Sequence, residues 1–413
     1  MTAVHQPVAA LDGVIRDYPW GSRTALAQLQ GRRAPTPKPE AELWFGAHPL
    51  APAVLQLDDG RRRPLDAAVA EDPATMLGQA TADRFGASLP YLLKILAVGS
   101  PLSLQAHPDA AQARDGFARE ETSGIPRDAP QRSFRDPLGK PELLCALSPM
   151  QVLCGLRPSA QSVELLRALE VAALDGLVSE LAAGREEGPV AALRQLLSWP
   201  ADQRTRLVEA VAAACDDLAA RDGPHARQLR WASELAALHP GDPGVVATLL
   251  LHLVELRPGQ AVHVPPGTLH AYLQGTGVEV MAASDNVVRG GLTSKHVDVD
   301  RLLQIVEPNG GQPPHAATER RGDQLTYLTP TDEFRLTQLR IGGDLSLDGG
   351  HPQILLAVDG SLAVTASVSG DGERPAATVH IQPGQAVFVP AATRQVTLDG
   401  TAVVFRVTPG SWR

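Results

Sequence analysis

Residues 258–276 read PGQAVHVPPGTLHAYLQGT, and residues 383–401 read PGQAVFVPAATRQVTLDGT. The two stretches lie 125 positions apart and share 11 of 19 residues without a gap. Each begins with a Pro-Gly turn, continues as an alternating strand that stops at Val-Pro, and closes with a second strand ending at Gly-Thr. Two distant copies of one strand–turn–strand unit predict two β-barrels of the same type rather than a solenoid, whose repeats follow one another directly.

The two copies differ at the positions where chemistry would lie. His263 and His270 of the first copy correspond to Phe388 and Gln395 of the second. Imidazole is a common metal ligand in proteins, and only the first copy offers it at these positions. We therefore expect the first barrel to carry any metal ion and the second to be structural.

The rest of the sequence separates into β-rich and helical parts. Residues 1–155 contain short apolar runs among many turn formers, and the same pattern returns from residue 244 onward. Residues 159–238 are instead rich in Ala, Leu, Glu and Arg, with apolar residues three and four positions apart. The predicted protein is mainly β with an all-α insertion.

The composition is typical of a globular protein with two or three domains. The chain has 413 residues, of which 44% are hydrophobic and 20% charged. Its net charge of −9 leaves no basic excess for the phosphate backbone of a nucleic acid. No apolar run is long enough for a membrane span, and three cysteines suggest no disulfide framework. We therefore expect a cytoplasmic protein without nucleic-acid or membrane partners. A monomer is the default expectation.

Lysine is rare in this chain. Only four of its 37 basic residues are lysine, and the others are arginine. A GC-rich genome accounts for such a bias, yet an ammonium group retained where arginine is the rule suggests a specific task. Lys94 and Lys295 lie in the segments described below, Lys140 lies two residues before the candidate ligand Glu142, and Lys38 lies in a Pro-rich loop.

Four residues form a candidate ligand set for a metal ion. Gln105 and His107 are two positions apart, a spacing that places both side chains on one face of a strand. Glu142 follows Gly-Lys-Pro, and His270 is singled out by the comparison of the repeats. Nitrogen and oxygen ligands without thiolate suit zinc, although two histidines and one carboxylate also describe a non-haem iron site.

The chain resembles the type I mannose-6-phosphate isomerases over almost its full length, and several segments carry this resemblance. They are residues 18–22 (YPWGS), 39–48 (PEAELWFGAH), 90–96 (PYLLKIL), 101–108 (PLSLQAHP), 270–273 (HAYL) and 284–295 (SDNVVRGGLTSK). The resemblance implies a double cupin, that is, two jelly-roll β-barrels, with an all-α domain inserted into the first. It implies a catalytic cupin domain at residues 1–155 and 241–310, a helical insertion at 156–240 and a metal-free cupin at 311–413.

The resemblance also implies a reaction and a cofactor. The reaction interconverts D-mannose 6-phosphate and D-fructose 6-phosphate by zinc-assisted proton transfer through a cis-enediolate. One zinc ion per chain would be held by Gln105, His107, Glu142 and His270, and Arg289 would be the catalytic arginine.

The other site residues are hypotheses drawn from their places in these segments. Lys140 is the candidate for proton transfer, with Glu279 and Asp285 as rival bases. The candidate contacts to the phosphosugar substrate are Ser103, Lys94, Lys295, Glu279, Tyr272 and Trp20.

The sequence departs from the family at one place and leaves two rival functions open. The family usually has Asn-His before Lys-Pro-Glu, where this chain has Leu138-Gly139, so a proton-transfer role for that histidine is in doubt. One rival is a non-catalytic sugar-binding double cupin, which would be expected to lose ligands in both copies. The other is an iron-dependent dioxygenase, against which Gln105 and Arg289 argue.

Overall fold

Two antiparallel sheets and a helical insertion make up the part of the chain that the structure, a computed structural model, describes: residues 6–308, 311, 315–367 and 376–410. The mainly β fold with a helical insertion is as predicted from the sequence. The predicted boundary at residue 310 lies outside the described residues.

The first sheet has ten strands and carries the candidate ligands. Its central strand pairs with four others, two along residues 270–274 and two along residues 275–282. The strands are Val14–Arg16, Glu42–Gly46, Tyr91–Val98, Leu104–Ala106, Glu142–Ala146, Met150–Leu156, Leu251–Leu256, Ala261–Val264, His270–Ala282 (the central one) and Val288–Gly291.

The second sheet has eleven strands and is not formed by the C-terminal part alone. Ala9–Asp12 pairs with Ala386–Val389 on one side and with Val54–Gln56 on the other, so the start of the chain closes onto the last barrel. The division into three domains stays a prediction. The pairing shows in addition that a strand from the first predicted domain belongs to the same sheet as the third. The other strands are Arg62–Pro64, Ala317–Arg321, Gln324–Leu328, Arg335–Gly342, Leu345–Asp348, Gln353–Ser367, Ala377–Ile381 and Gln395–Thr408.

The repeat is visible in the strands themselves. Ala261–Val264 and Ala386–Val389 are equivalent strands, and the long strands that follow begin at His270 and Gln395, again 125 positions apart. In both copies the glycine before Thr, Gly275 or Gly400, has a positive φ that a side chain rarely adopts. The prediction of two related β units is confirmed.

The predicted helical block at 159–238 is confirmed as five α-helices. They are Ser159–Ala168, Asp175–Ala182, Gly188–Leu197, Arg204–Ala219 and Ala226–Leu238, with short 3₁₀ turns at Ala172–Leu174 and Ala201–Gln203. Their buried leucines share one core with barrel residues such as Leu104 and Leu269, so the insertion is packed against the ligand-bearing sheet. No helix in the described ranges is both long and apolar enough to cross a membrane.

The N-terminal part contains helices where the sequence predicted mainly strands and irregular connections. The longest, Ala110–Thr122, begins at a capping box formed by Asp109 and Gln112. Its buried face consists of Ala113, Gly116 and Glu120, which is too weak an apolar pattern to predict a helix. The remaining helices are Ala25–Leu29, Leu65–Glu71, Pro73–Leu77, Gln79–Phe85, Gly244–Ala247, the 3₁₀ turn Thr248–Leu250 and Val299–Ile305.

Candidate metal centre

The central strand His270–Ala282 organises the site. Its first residue, His270, lies opposite Gln105 in the register of the sheet, and Met281 near its other end lies opposite Glu142. The side chains of His270 and Glu142 nevertheless meet, with His270 Nε2 3.5 Å from Glu142 Oε2. His107 follows the short strand Leu104–Ala106 and joins them there.

Three of the four predicted ligands form a compact, buried cluster. The ligand atoms of His107, Glu142 and His270 all lie within 4.8 Å of one another, and the side chains are almost inaccessible to solvent. His107 Nε2 lies 3.3 Å from Glu142 Oε1, and His270 Nε2 lies 3.5 Å from Glu142 Oε2. Both Nε2 atoms lack a hydrogen-bond partner within the described residues. Buried nitrogens left unpaired in this way fit a metal ion that accepts their lone pairs.

The second ring nitrogen of each histidine fixes its orientation. His107 Nδ1 lies 2.8 Å from the backbone oxygen of Asn286, and His270 Nδ1 lies 3.0 Å from that of Thr268. Since a carbonyl only accepts, each Nδ1 carries the proton and each Nε2 is the free donor atom that a metal needs.

The charge of the cluster also suits a divalent cation. Burial is the main cause that lowers the pKa of His107, to about 4, so that ring is neutral near pH 7. Burial acts to raise the pKa of Glu142, but His107 and Lys140 hold it well below its usual range. The Glu142 carboxylate and the neutral His107 imidazole are therefore available as ligands without any further proton loss.

Gln105 is the fourth predicted ligand, and the structure gives its place in the sheet. It lies on the strand Leu104–Ala106, opposite both His270 and Arg289, and its side chain is half-buried. Its role as a ligand stays a prediction that its place next to His270 supports.

Asn286 holds the segment that leads to Lys140 and Glu142. Its Oδ1 accepts from the N–H groups of Arg135 (2.7 Å) and Asp136 (3.2 Å), and its Nδ2 donates to the carbonyl of Leu138 (2.9 Å). The side chain is fully buried, and its own carbonyl accepts from His107. One asparagine therefore fixes both a ligand ring and the neighbouring loop.

We expect Asn286→Asp to weaken zinc binding by about 10–100-fold, the usual cost of disturbing a group that orients a metal ligand. The new carboxylate would face the Asp136 side chain, whose Oδ1 now accepts from Asn286 Nδ2 at 3.2 Å. The measurement is competition for zinc with a chelator of known affinity. Gln353→Glu is a matched control, because Gln353 is a fully buried amide in the other sheet. Equal zinc affinity in both variants would contradict the assigned role.

A buried chain of charges continues behind the ligand cluster. Lys94 Nζ lies 3.1 Å from Glu279 Oε2 and 3.6 Å from Glu42 Oε2. The Tyr272 hydroxyl donates to Glu279 at 3.0 Å and lies 3.5 Å from Glu142 Oε2. Burial acts to lower the pKa of Lys94, but Glu279 and Glu42 more than offset it and raise that pKa. Lys94 is thus a charged partner of two carboxylates, which favours a charge-balancing role over phosphate binding.

Arg289, Lys295 and Arg135 are three cations with no carboxylate partner within the described residues. Burial lowers the pKa of Arg289, and the charge of Arg135 adds to the effect. The pKa of Lys295 is lowered by burial and then by Arg289 and Arg135. Mutual repulsion of this kind indicates that the three groups are close, and such a group suits an anion. Arg135 is the member that the sequence analysis did not identify.

The remaining predicted residues lie around the cluster. Lys140 is buried, with Nζ 3.2 Å from Glu142 Oε1, whereas the carboxylate of Asp285 lies 3.4 Å from His48 Nε2. Ser103 is half-buried directly before the strand that carries Gln105. Trp20 is half-buried and packs against the apolar cluster that includes Tyr272.

Gly139 occupies a position that has no room for a side chain. A Cβ atom there would lie 2.8 Å from the backbone N of Ala110, at the start of the helix Ala110–Thr122. Backbone atoms cannot move aside as a flexible side chain would. In this protein the helix start therefore lies where a histidine side chain would otherwise extend.

Restoring the family's usual histidine is expected to harm the protein. We expect Gly139→His to lower the free energy of unfolding by about 1–3 kcal/mol, the typical cost of overpacking, without raising turnover. Denaturant unfolding measures the first effect and initial rates measure the second. Gly223→His is the control, because a Cβ at Gly223 meets no atom within 4 Å. A stable Gly139→His variant with faster turnover would contradict the packing argument.

Some of these residues gave no signal of their own in the sequence. Arg135 is one of many arginines, and Asn286 was read only as part of a matching segment. Their roles depend on side-chain bonds to backbone groups about 150 residues away, as between Asn286 and Arg135. A periodic pattern cannot report contacts of this kind.

Comparisons with known proteins agree with this geometry. Residues 8–159 match the family model described as phosphomannose isomerase type I, catalytic domain. The chain is 35% identical to mannose-6-phosphate isomerase of Salmonella typhimurium, over 95% of this chain and 97% of that protein. It is 31% identical to mannose-6-phosphate isomerase of Rattus norvegicus, over 97% and 98% of the two chains.

Solved structures are similar over the same extent. A crystal structure of a variant of phosphomannose isomerase from Salmonella typhimurium superimposes with a TM-score of 0.89 at 32% identity, covering 98% of this chain and 99% of that one. A zinc-bound mannose 6-phosphate isomerase superimposes with a TM-score of 0.87 at 31% identity, with the same coverage. These likenesses extend over both sheets and the insertion.

Proposed function

The chain belongs to the type I phosphomannose isomerase family, and on that premise we propose how its residues carry out the reaction. The protein is a mannose-6-phosphate isomerase that interconverts D-mannose 6-phosphate and D-fructose 6-phosphate with zinc as its cofactor. The observation that carries this conclusion is the buried cluster of His107, Glu142 and His270 with two unpaired Nε2 atoms, in a fold shared with zinc-bound relatives.

We propose that His107, Glu142, His270 and Gln105 hold the zinc ion. The first three already have their ligand atoms within 4.8 Å of one another. Bound at this site, zinc supplies Lewis-acid stabilisation of developing negative charge on substrate oxygens. The protein contributes a buried, pre-oriented set of ligands, in which the backbone carbonyls at Asn286 and Thr268 fix the two rings.

Arg289 is the residue that stabilises the enediolate from the protein side. It lies directly opposite Gln105 in the sheet, and its guanidinium is half-buried. Removing a proton next to a carbonyl leaves charge on oxygen, and a fixed guanidinium fork donates hydrogen bonds to such an oxygen without reorganising.

Lys140 and Glu279 are the two candidates for the group that moves the proton between C2 and C1. Lys140 is directed at the ligand cluster, whereas both oxygens of Glu279 already have partners, Tyr272 and Lys94. This geometry favours Lys140. Asp285 is less suited, since its carboxylate lies beside His48.

Exchange of the C2 proton with solvent distinguishes the two candidates. We expect Lys140→Met to lose exchange and Glu279→Gln to retain it, because only the first removes a group directed at the ligand cluster. The measurement is incorporation of deuterium at C2 of mannose 6-phosphate, with zinc content determined for each variant. Wild-type exchange in Lys140→Met would rule out this lysine as the base.

The 6-phosphate is proposed to bind at Lys295 and Arg135, with Ser103 as a hydroxyl donor. Neither cation has a carboxylate partner within the described residues, and a phosphate dianion would relieve their mutual repulsion. Trp20 and Tyr272 are proposed to line the sugar pocket. Lys94 is retained as a weaker candidate for substrate binding, because two carboxylates already surround it.

The organisation of the chain is proposed to follow the family. We propose a catalytic cupin at 1–155 and 241–310, a helical domain at 156–240 and a metal-free cupin at 311–413, acting as a cytoplasmic monomer. Sedimentation of the purified protein would test the monomer.

The proposed function is tested by combining metal analysis with an NADP-coupled isomerase assay. We expect about one zinc per chain and conversion of mannose 6-phosphate. Bound iron with oxygen consumption, or sugar binding without turnover, would overturn the conclusion in favour of a dioxygenase or a binding protein.

A further inference from the structure

We propose that Asp242 is a positioning residue, which ties the helical insertion to the loop that carries Arg289 and Lys295. Asp242 lies just after the helix Ala226–Leu238, where the chain leaves the insertion. The inference rests on the proposed roles of Arg289 and Lys295 in the isomerase reaction. It gives the insertion a task in catalysis that its own sequence does not indicate.

Both carboxylate oxygens of Asp242 accept hydrogen bonds from backbone N–H groups. Oδ1 accepts from Gly244 at 2.7 Å, a local bond that closes a turn. Oδ2 accepts from Leu292 at 2.7 Å and from Thr293 at 3.4 Å, groups that lie about 50 residues further along the chain. A single side chain thus connects the end of the insertion with the loop.

Strand pairing alone does not maintain the conformation of this loop. The strand Val288–Gly291 pairs with Leu104–Ala106, but its register shifts between Arg289 and Gly291. Leu292 follows with a φ of +55°, in the left-handed region that a leucine rarely adopts. Such a backbone persists only where its surroundings hold it, and the Asp242 carboxylate binds the N–H of this very residue.

The segment that directly follows the insertion is also in backbone contact with the loop. A Cβ on Gly244 would lie 2.9 Å from Gly291 Cα, and a Cβ on Gly291 would lie 2.8 Å from Gly244 Cα. Because glycine has no Cβ, the two backbone segments approach each other more closely here than any other residue type would allow. Asp242 therefore fixes the loop against a rigid surface.

The position of this tie explains its expected effect. Arg289 lies three residues before Leu292 and Lys295 three residues after it, so a shift at Leu292 displaces both groups. A misplacement of about 1 Å in a catalytic group costs on the order of 10²-fold in rate. We therefore expect that loss of the Asp242 carboxylate lowers turnover and weakens phosphate binding, although its hydrogen bonds go to backbone N–H groups and not to the reacting atoms.

The test is Asp242→Asn in the full-length zinc enzyme. An amide has one accepting atom, so one of the two backbone partners is left facing an NH₂ group. We expect kcat to fall about 10–100-fold and KM for mannose 6-phosphate to rise, with zinc content unchanged. A merely structural role would lower the melting temperature but leave kcat per folded, zinc-loaded enzyme at the wild-type value, and that result would overturn the proposal.

Two further variants and one measurement on the wild type complete the test. Asp72→Asn is the matched control, because Asp72 is also an aspartate that accepts from a backbone N–H, that of Thr75, where it caps the helix Pro73–Leu77. If Asp242→Asn does not fold, Asp242→Ser takes its place, since a serine hydroxyl still accepts from Gly244 but does not reach Leu292. In the wild type, the Leu292 amide should resist hydrogen exchange, and exchange at the rate of an open loop would overturn the proposal without any variant.

Failure of this inference is distinguishable from failure of the proposed function. If wild type shows isomerase activity and Arg289→Gln loses it while Asp242→Asn keeps kcat and KM, the positioning role is wrong and the function stands. If wild type shows no isomerase activity, the function itself is wrong and with it the basis of this inference.

Discussion

Replacing Glu142 by glutamine is expected to reduce turnover by about 10³-fold or more and to remove most of the bound zinc. Glutamine has the same shape, but it takes away the only carboxylate of the cluster, whose oxygens lie 3.3 and 3.5 Å from the two ligand nitrogens. It also leaves the Lys140 ammonium without the partner that lies 3.2 Å away. Elemental analysis and initial rates on the same sample measure the two effects together.

Glu255→Gln is the matched control for this change. Glu255 lies on Leu251–Leu256 of the same sheet, but its side chain is exposed and contacts Gln151 and Arg227. We expect this variant to keep one zinc per chain and wild-type turnover. A Glu142→Gln enzyme with full zinc content and a rate within ten-fold of wild type would show that the ion, or the reaction, lies elsewhere.

Replacing Arg289 by glutamine is expected to lower kcat by about 10²–10³-fold while zinc content stays the same. The guanidinium lies next to the ligand-bearing strand but belongs to none of the proposed ligands, so its loss removes charge stabilisation without removing the metal. Arg289→Lys should recover only part of the rate, because an ammonium is a single point of charge and lacks the planar fork. Steady-state kinetics with mannose 6-phosphate measures both variants.

Arg194→Gln serves as the control for Arg289→Gln, because Arg194 is an exposed arginine of the helical insertion that faces Asp300 at 3.4 Å. We expect it to leave kcat unchanged. If Arg289→Gln raised KM alone and left kcat intact, Arg289 would bind the phosphate without stabilising the enediolate, and the catalytic assignment would be wrong.

Patterns within single segments account for what could be predicted of the fold. The repeat at 258–276 and 383–401 predicted two related β units, and their strands begin 125 positions apart in the structure. Apolar residues three and four positions apart predicted the helices between 159 and 238, because this spacing gives each helix one face to bury. The helix Ala110–Thr122 was missed because its buried face offers only Ala113, Gly116 and Glu120.

Part of the candidate site could likewise be predicted from the sequence, and part could not. The spacing of Gln105 and His107, the carboxylate of Glu142 after Gly-Lys-Pro and the loss of His270 in the second copy pointed to ligands, and family resemblance added Arg289. Nothing in the sequence placed Lys94 between two carboxylates, because its partners Glu42 and Glu279 come from different strands.

By itself, the sequence determined the two β units, the helical insertion and the residue types available for a metal, because each of these is encoded in local spacing or in a direct repeat. Only the tertiary structure decided that Asn286 and Asp242 hold the loops of the site, and that Gly139 has no room for a side chain. The physical reason is that these contacts join side chains to backbone groups of remote segments. Their geometry exists only after strand pairing has brought those segments together, and no periodicity along the chain records it.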